Sequence, residues 1–280
     1  MIRRICLLVL AIAMVPTTYA TALERVLLPV VGDSHGALGA LWTVEMWIRN
    51  DGDERAIAYP LAVRCSSPSH CRLRPVMDLS PKSTLSWDTL DFPSRALFPA
   101  FVPLSNSDAG ALLYLERERA DQVNISLHVR DRSKTASNLG AEVPVVRERD
   151  FRVGRIIIPW VVPNSGYRYA LRVYDPDNVP DASVVVRLFQ TTDRFGEYLL
   201  DEATFPLTNL KITTNCEDAV CPWPGGSYAP SILFLPLDLS QYDSAAIRVE
   251  IEAVSPGLRL WAMVSATNNE THLVTIYSPN

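Results

Sequence analysis

Four of the five cysteines lie in two close pairs, a spacing that predicts two short covalent loops. Cys65 is close in sequence to Cys71, and Cys216 is close to Cys221. An even number of cysteines in an exported chain is typical of disulfides, and closeness favours the local pairs over the other two pairings that four cysteines allow. A zinc site built from all four is the alternative, but neither pair has the two-residue spacing of zinc knuckles.

Two acidic turns carry the oxygen atoms that a calcium ion needs. The first contains Asp51 and Asp53, and the second contains Asp175 and Asp177, at equivalent places in two similar stretches of the chain. Ca²⁺ takes six to eight oxygen ligands, which clustered loop carboxylates supply. Asn, Asp and Gly are also the residues that an ordinary turn requires, and the sequence favours that interpretation. Ca²⁺ at these four aspartates is therefore the only cofactor kept as a candidate.

Six tryptophans supply aromatic surface. In the alternating segment that contains Trp42 and Trp47, Trp47 falls on the face opposite to Val44, Met46 and Ile48. Exposed aromatic side chains on β-domains stack on sugars or anchor a protein partner. We therefore predict Trp42 and Trp47 as contacts for a protein or glycan partner. The alternative is that a nearby loop or the other half of the chain covers Trp47.

The standard catalytic signatures are expected to be missing, among them the Gly-x-Ser-x-Gly nucleophile elbow. The chain has no His-Glu-x-x-His metal motif, no Gly-x-x-x-x-Gly-Lys phosphate loop and no Gly-x-Gly-x-x-Gly dinucleotide motif. The four histidines are far apart in sequence, and their positions on loops or on an outward strand face predict solvated side chains: His35, His70, His128 and His272. We therefore name no catalytic residue and expect no enzyme, although a Ser-His-Asp triad assembles only in space.

The elements that position these residues are β-strands. The 280 residues are 48% hydrophobic, enough for two cores, and the 21 prolines outnumber the 12 glycines. Strict alternation over residues 41–49 and 123–130 predicts half-buried strands. Each acidic turn follows a strand, so we expect hairpins that pair residues 41–49 with 55–64 and residues 168–174 with 182–189.

The start, middle and end of the first half are echoed in the second half. An apolar run that includes Pro29 returns in the run that includes Pro159, and each is followed by an alternating strand and an acidic turn. Many short strands in units of this length predict two tandem immunoglobulin-like β-sandwiches, although the Cys…Trp…Cys spacing of antibody domains is missing. We place the first domain at residues 23–150 and the second at 151–280, with the mixed-charge joint between them.

Residues 1–22 are typical of a cleaved export signal. A positive start and an apolar run at residues 7–15 precede a small-x-small cleavage pattern that ends at Ala22. Cleavage there leaves 24 basic and 31 acidic residues, a net charge of −7. This charge disfavours nucleic acid and anionic membrane surfaces as partners. No later apolar run has the length of a transmembrane helix, and we expect a secreted or periplasmic protein.

Three segments resemble a group of exported bacterial two-domain β-sandwich proteins, of immunoglobulin-like type and unassigned function. The segments are Leu28-Pro29, Trp42-Thr43-x-Glu45-x-Trp47-x-Arg49-Asn50, and Glu142-Val143-Pro144-Val145-Val146-Arg147-Glu148. The resemblance covers most of the chain after residue 22. It implies export and β-structure, and it assigns a role to no residue.

Together these patterns favour an exported, non-catalytic binding or structural module that acts by protein–protein recognition at or outside the cell surface. Strand edges, end loops or exposed aromatic residues would make the contacts. A glycan-binding module and a secreted hydrolase are the alternatives. A periplasmic chaperone of two sandwiches is a further one, although the sequence marks no basic pair for the cleft between its domains.

Overall fold

The computed structural model describes residues 23–30, 34–60, 63–65, 71–73, 77–88, 110–134, 140–192, 196–208, 230–242 and 246–279. These residues form β-strands joined by turns and by short 3-10 helices, and no α-helix lies among them. The predicted all-β class is therefore confirmed. The predicted export signal, His70, Cys216 and Cys221 lie outside the described residues.

The strands up to residue 147, called the first half, form two five-stranded antiparallel sheets and a two-stranded one. In chain order they are β1 Leu23–Leu28, β2 Ser34–His35, β3 Leu41–Asn50, β4 Ala56–Pro60, β5 Val63–Cys65, β6 Cys71–Leu73, β7 Met77–Leu79, β8 Thr84–Asp88, β9 Ala111–Glu116, β10 Val123–Asp131, β11 Ala141–Val143 and β12 Val146–Arg147. One sheet has the order β12-β1-β9-β4-β7, and the other has the order β11-β10-β3-β2, with β8 also on β3. The pair β5-β6 stands apart.

The strands from residue 152 onward, called the second half, form two further antiparallel sheets. They are β13 Arg152–Val153, β14 Arg155–Val161, β15 Tyr167–Asp175, β16 Ser183–Thr192, β17 Gly196–Pro206, β18 Ser231–Leu237, β19 Ala246–Ala253, β20 Arg259–Asn268 and β21 Val274–Tyr277. One sheet has the order β13-β20-β15-β18, with β21 also on β20, and the other has the order β14-β19-β16-β17.

The period-two patterns of β3 and β10 place the core where the sequence predicts it. Val44, Met46 and Ile48 are all buried, and β10 lies beside them and buries Leu127 and Val129 on the same side. Apolar residues from both large sheets of the first half belong to one buried cluster. The alternation of apolar and polar residues therefore predicted correctly which face of β3 and of β10 is buried.

The predicted hairpins are wrong. β3 pairs with β10, β8 and β2, whereas β4 pairs with β9 and β7, so the first acidic turn carries the chain from one sheet to the other. The second acidic turn does the same between β15 and β16. The physical reason is that a buried Asx side chain organises each corner. Asn50 donates to the Leu79 carbonyl at 3.0 Å, across to the other sheet.

The two halves share buried apolar surface. The core of the first half continues into Tyr174, Ile232, Trp261 and Met263, which lie on β15, β18 and β20 of the second half. These strands also bury their other face in the core of the second half, where Val173 is an example. Strands β15, β18 and β20 are therefore buried on both faces. The face of their sheet that points away from the core of the second half packs against the first half and is not a free surface.

Candidate functional site in the cleft between the halves

A cleft of about 410 Å³ lies between the first half and the outer face of the sheet β13-β20-β15-β18. The first half lines it with Val30, His35, Gly36, Ala37, Trp42, Val44, Val129 and Val143. The second half lines it with Arg168, Tyr169, Ala170, Arg172, Phe234, Pro236, Met263, Ser265, Thr267, Val274 and Ile276. This volume is in the range of small-molecule sites, about 300–1,000 Å³.

Strand alternation explains why two arginines reach this cleft. Arg168, Ala170 and Arg172 occupy alternate positions of β15 and share a face, whereas Tyr169 and Leu171 between them belong to the core of the second half. The cross-strand partners follow the same alternation. Thr267, Ser265 and Met263 on β20 stand opposite Arg168, Ala170 and Arg172.

Arg172 is held in place by its neighbours. Its Nη1 donates to the hydroxyl of Ser265 at 2.8 Å. Its guanidinium lies 4.9 Å from the centroid of the Phe234 ring, a cation–π distance. These contacts fix the side chain along the wall of the cleft.

Arg168 is arranged differently. Its Nη1 atom is buried, and within the described part of the chain it has no hydrogen-bond acceptor. A buried N–H without an acceptor lowers stability by about 1–3 kcal/mol. Arg168 as a whole is half-buried and lines the cleft, so an acceptor that enters there would meet its guanidinium.

The charge of the lining is one-sided. Arg168 and Arg172 line the cleft, and no aspartate or glutamate does so among the described residues. The whole chain, by contrast, has a net charge of −5. A cleft lined by one sign of charge between apolar walls concentrates the field on whatever enters it, so this cleft attracts anions.

A buried contact joins the halves two residues beyond Arg172 on β15. Tyr174 is fully buried, and its hydroxyl donates to the carbonyl of Pro29 at 2.5 Å. Its ring lies 6.0 Å from that of Trp261. Gly110 accommodates the ring, because a Cβ at that residue would stand 2.9 Å from Tyr174 Cε1.

A charged network continues this contact at the surface. Arg25 of the first half donates to Glu148 at 2.7 Å and to Asp177 at 2.8 Å, and Arg259 pairs with Asp177 at 2.7 Å. Burial raises the pKa of Glu148, but the hydrogen bonds and charge of Arg25 outweigh it and lower that pKa. The hydrogen bond from Arg259 and then those of Arg25 lower the pKa of Asp177. Both carboxylates therefore stay ionised and join the halves.

A second buried contact between the halves is made by Asp131 and His272. His272 Nδ1 bonds Asp131 Oδ2, the Leu41 amide donates to Oδ1 at 2.7 Å, and the Ser133 hydroxyl donates to Oδ2 at 2.7 Å. Burial alone raises the pKa of Asp131, but these hydrogen bonds lower it to about 2. His272 was predicted to be solvated, and that prediction is wrong because its partner comes from the other half.

The aspartates of the first acidic turn are engaged by cations. Asp51 pairs with Arg49 and accepts from Asn124, and the hydrogen bond from Arg49 is the main reason that its pKa is lowered. Asp53 is highly exposed and lies 3.0 Å from Lys82.

The aspartates of the second acidic turn have separate roles. Asp175 is fully buried and accepts from the amides of Asp177 and Val179 at 2.8 and 2.7 Å, and its burial raises its pKa. Asp177 pairs with Arg25 and Arg259 as described above. No group of three or more His, Cys, Asp and Glu side chains suited to a metal ion occurs in the described ranges. Ca²⁺ at the two turns stays an untested alternative to ordinary turns.

The two predicted contact tryptophans lie on different surfaces. Trp42 is half-buried, lines the cleft and has its ring 6.4 Å from that of His272. Trp47 is also half-buried, and its ring meets that of His128 edge-on at 5.1 Å. The structure therefore brings Trp42, and not Trp47, to the cleft.

Cys65 and Cys71 are directly opposite each other in the pair β5-β6. Facing residues of antiparallel strands have Cα atoms about 4.5–5.5 Å apart, which a disulfide spans. Their side chains, like Cys216 and Cys221, are not among those described, and both disulfides stay predictions.

Sequence reasoning overlooked one catalytic signature. Residues 32–36 read Gly-Asp-Ser-His-Gly, which matches the Gly-x-Ser-x-Gly pattern of hydrolases. In those enzymes the serine sits on a sharp turn from a strand into a helix. Here Ser34 belongs to the two-residue strand β2, and the 3-10 turn Ala37–Gly39 follows it. The match therefore lacks the context of a nucleophile elbow.

Sequence reasoning also missed the two arginines of the cleft. Arg168 and Arg172 occupy alternate positions of a predicted strand, where a polar residue indicates a solvated face. Only the packing of that face against the first half turns it into a cleft wall. The structure thus brings Arg168 and Arg172 to the cleft although the sequence marks no basic pair there.

Compared with protein-family models, curated proteins and solved structures, the chain matches none. The resemblance to exported β-sandwich proteins thus stays a hypothesis. Within the described ranges no helix is long and apolar enough to span a membrane.

Proposed function

We propose that this chain is an exported, non-catalytic binding module of two tandem immunoglobulin-like β-sandwiches, and that it recognises its ligand in the cleft between them. The observation that carries the proposal is the cleft itself, which both halves line and whose described lining includes two arginines and no aspartate or glutamate. The sequence favours a protein partner. A cleft of this size accepts a small molecule or a chain end rather than a flat protein face.

Two buried contacts that join the halves support the same proposal. Tyr174 bonds Pro29, and Asp131 bonds His272. A site whose walls are fixed before binding avoids the cost of ordering them afterwards. Tryptophan and apolar side chains at its mouth supply contact area, and the arginines supply orientation.

A thermal melt tests this proposal. The protein that starts at Leu23 is melted with a panel of soluble glycans, peptides and small acids, beside the variants Ala170→Trp, which fills the cleft, and Thr204→Trp, which changes the exposed strand β17. A ligand at a hundred times its Kd adds about 2.7 kcal/mol, which raises Tm by several degrees. We expect at least one shift that Thr204→Trp keeps and Ala170→Trp loses. Shifts that both variants keep, or no shift at all, would contradict the proposal.

A secreted hydrolase is the second candidate. Asp131 orients His272 through Nδ1, as a triad aspartate does. Ser34 on β2 stands opposite Trp42, which stands opposite Asp131 on the next strand. Hydrolysis of p-nitrophenyl esters that both Ser34→Ala and His272→Ala abolish would establish this candidate. Equal background rates in the wild type and in both variants would rule out the hydrolase.

A further inference from the structure

The chemistry of the cleft indicates the class of ligand. We infer that the cleft binds a free carboxylic acid with an apolar chain, whose carboxylate bonds Arg168 and whose chain lies along the apolar walls. This inference rests on the proposed function, because it requires the cleft to be the recognition site.

Arg168 gives the reason for a carboxylate. Its buried Nη1 has no acceptor in the described part of the chain, and a guanidinium presents a planar fork of donors that matches the two oxygens of a carboxylate. Thr267 stands opposite Arg168 on β20 and brings a hydroxyl to the same end of the cleft. An ammonium ligand finds no aspartate or glutamate among the described lining residues.

The walls give the reason for a single head group and an apolar chain. Arg172 is already bonded to Ser265 and lies over the Phe234 ring. Much of the remaining lining is aliphatic and comes from both halves, of which Val44 and Ile276 are examples. A sugar needs several polar partners, whereas Arg172 and Ser265 already bond each other and most of the remaining lining is apolar.

Calorimetric titration of octanoate tests the inference. 1-Octanol and octylammonium are the probes that keep the chain and change the head group. The variant Arg168→Gln removes the guanidinium. Arg55→Gln is the matched control, because Arg55 is exposed and pairs with Asp78 away from the cleft. Circular dichroism and a melt establish that each variant is folded.

We expect octanoate to bind, with a dissociation constant that Arg168→Gln raises about 10- to 100-fold and Arg55→Gln leaves unchanged. Octylammonium should not bind, and 1-octanol should bind at least tenfold more weakly than octanoate. Equal binding of octanoate and 1-octanol would overturn the inference. Equal effects of the two arginine variants, or no heat at millimolar octanoate, would do the same.

A carboxylate on an apolar chain occurs both in a free fatty acid and at the C-terminus of a peptide, and a second titration distinguishes these two ligands. An acetylated Val-Leu-Val peptide is titrated as its free acid and as its amide. If the peptide acid binds more tightly than octanoate, a peptide end replaces the free acid as ligand and the inference is wrong. If octanoate does not bind but another ligand loses its melting shift in Ala170→Trp, the cleft remains the recognition site and only this inference fails. If no ligand shifts the melt, both fail.

Discussion

Replacing Tyr174 by phenylalanine removes one hydroxyl from the buried contact between the two halves. That hydroxyl donates to the Pro29 carbonyl at 2.5 Å, and the side chain is fully buried. The ring stays in place beside Trp261, with the ring centroids 6.0 Å apart, so the change is confined to the polar contact. Leaving a buried carbonyl without its donor costs about 1–3 kcal/mol. We expect the free energy of unfolding to fall by that amount.

Urea unfolding followed by tryptophan fluorescence measures this change. Tyr198→Phe is the control, because Tyr198 is 47% exposed on β17, and such a surface change should stay within about 0.5 kcal/mol. One cooperative transition is expected in the wild type, in Tyr174→Phe and in Tyr198→Phe, because the core of the first half includes side chains of the second half. In a melt the loss corresponds to roughly 2–4 °C for each kcal/mol.

Two results would refute this reasoning. If Tyr174→Phe and Tyr198→Phe have the same free energy of unfolding, the buried hydrogen bond does not hold the halves together. If unfolding occurs in two separate steps, the halves do not share a cooperative core.

Three further predictions follow from named contacts. Asp131→Asn should lower stability at pH 7 by about 2 kcal/mol, because the carboxyl pKa falls from 3.8 to about 2. That contribution is present above pH 4 and is lost as the pH falls to 2. The difference in the free energy of unfolding between wild type and Asp131→Asn, measured in urea, should therefore shrink over this range. A difference that stays constant would contradict the role of the ionised Asp131 carboxylate. Gly36→Ala should move the Trp42 ring, because the added Cβ would stand 2.3 Å from Trp42 Nε1, and unchanged indole fluorescence and stability would contradict this. Ca²⁺ or EDTA should leave Tm unchanged, because Asp51 and Asp177 already pair with arginines; a rise with Ca²⁺ that EDTA reverses would restore the metal site.

Local pattern was enough to predict the strands of this chain but not their partners. In residues 41–49 and 123–130, apolar and polar side chains alternate because one face of each strand is buried. Both segments form strands with the apolar face inside. The acidic turns have the composition of hairpin turns. Asn50, however, bonds the carbonyl of Leu79, and Asp175 is fully buried. A corner between sheets depends on such distant acceptors, which the composition of a turn does not reveal.

The candidate site was beyond sequence reasoning for the same reason. His272 follows β20 in a turn, where a histidine is usually solvated, and its partner Asp131 is 141 positions away. Arg168 and Arg172 have the spacing of an outward face, and the first half covers that face. Trp42 was predicted as a contact residue from its type and position, and it does line the cleft.

The most direct test of the central claim is a crystal structure of the protein grown with 2-bromooctanoate, in which anomalous scattering locates the bromine. We predict one bromine peak inside the cleft, with the neighbouring carboxylate bonded to the guanidinium of Arg168. A bromine peak outside the cleft, or a cleft filled by the protein's own side chains, would contradict it.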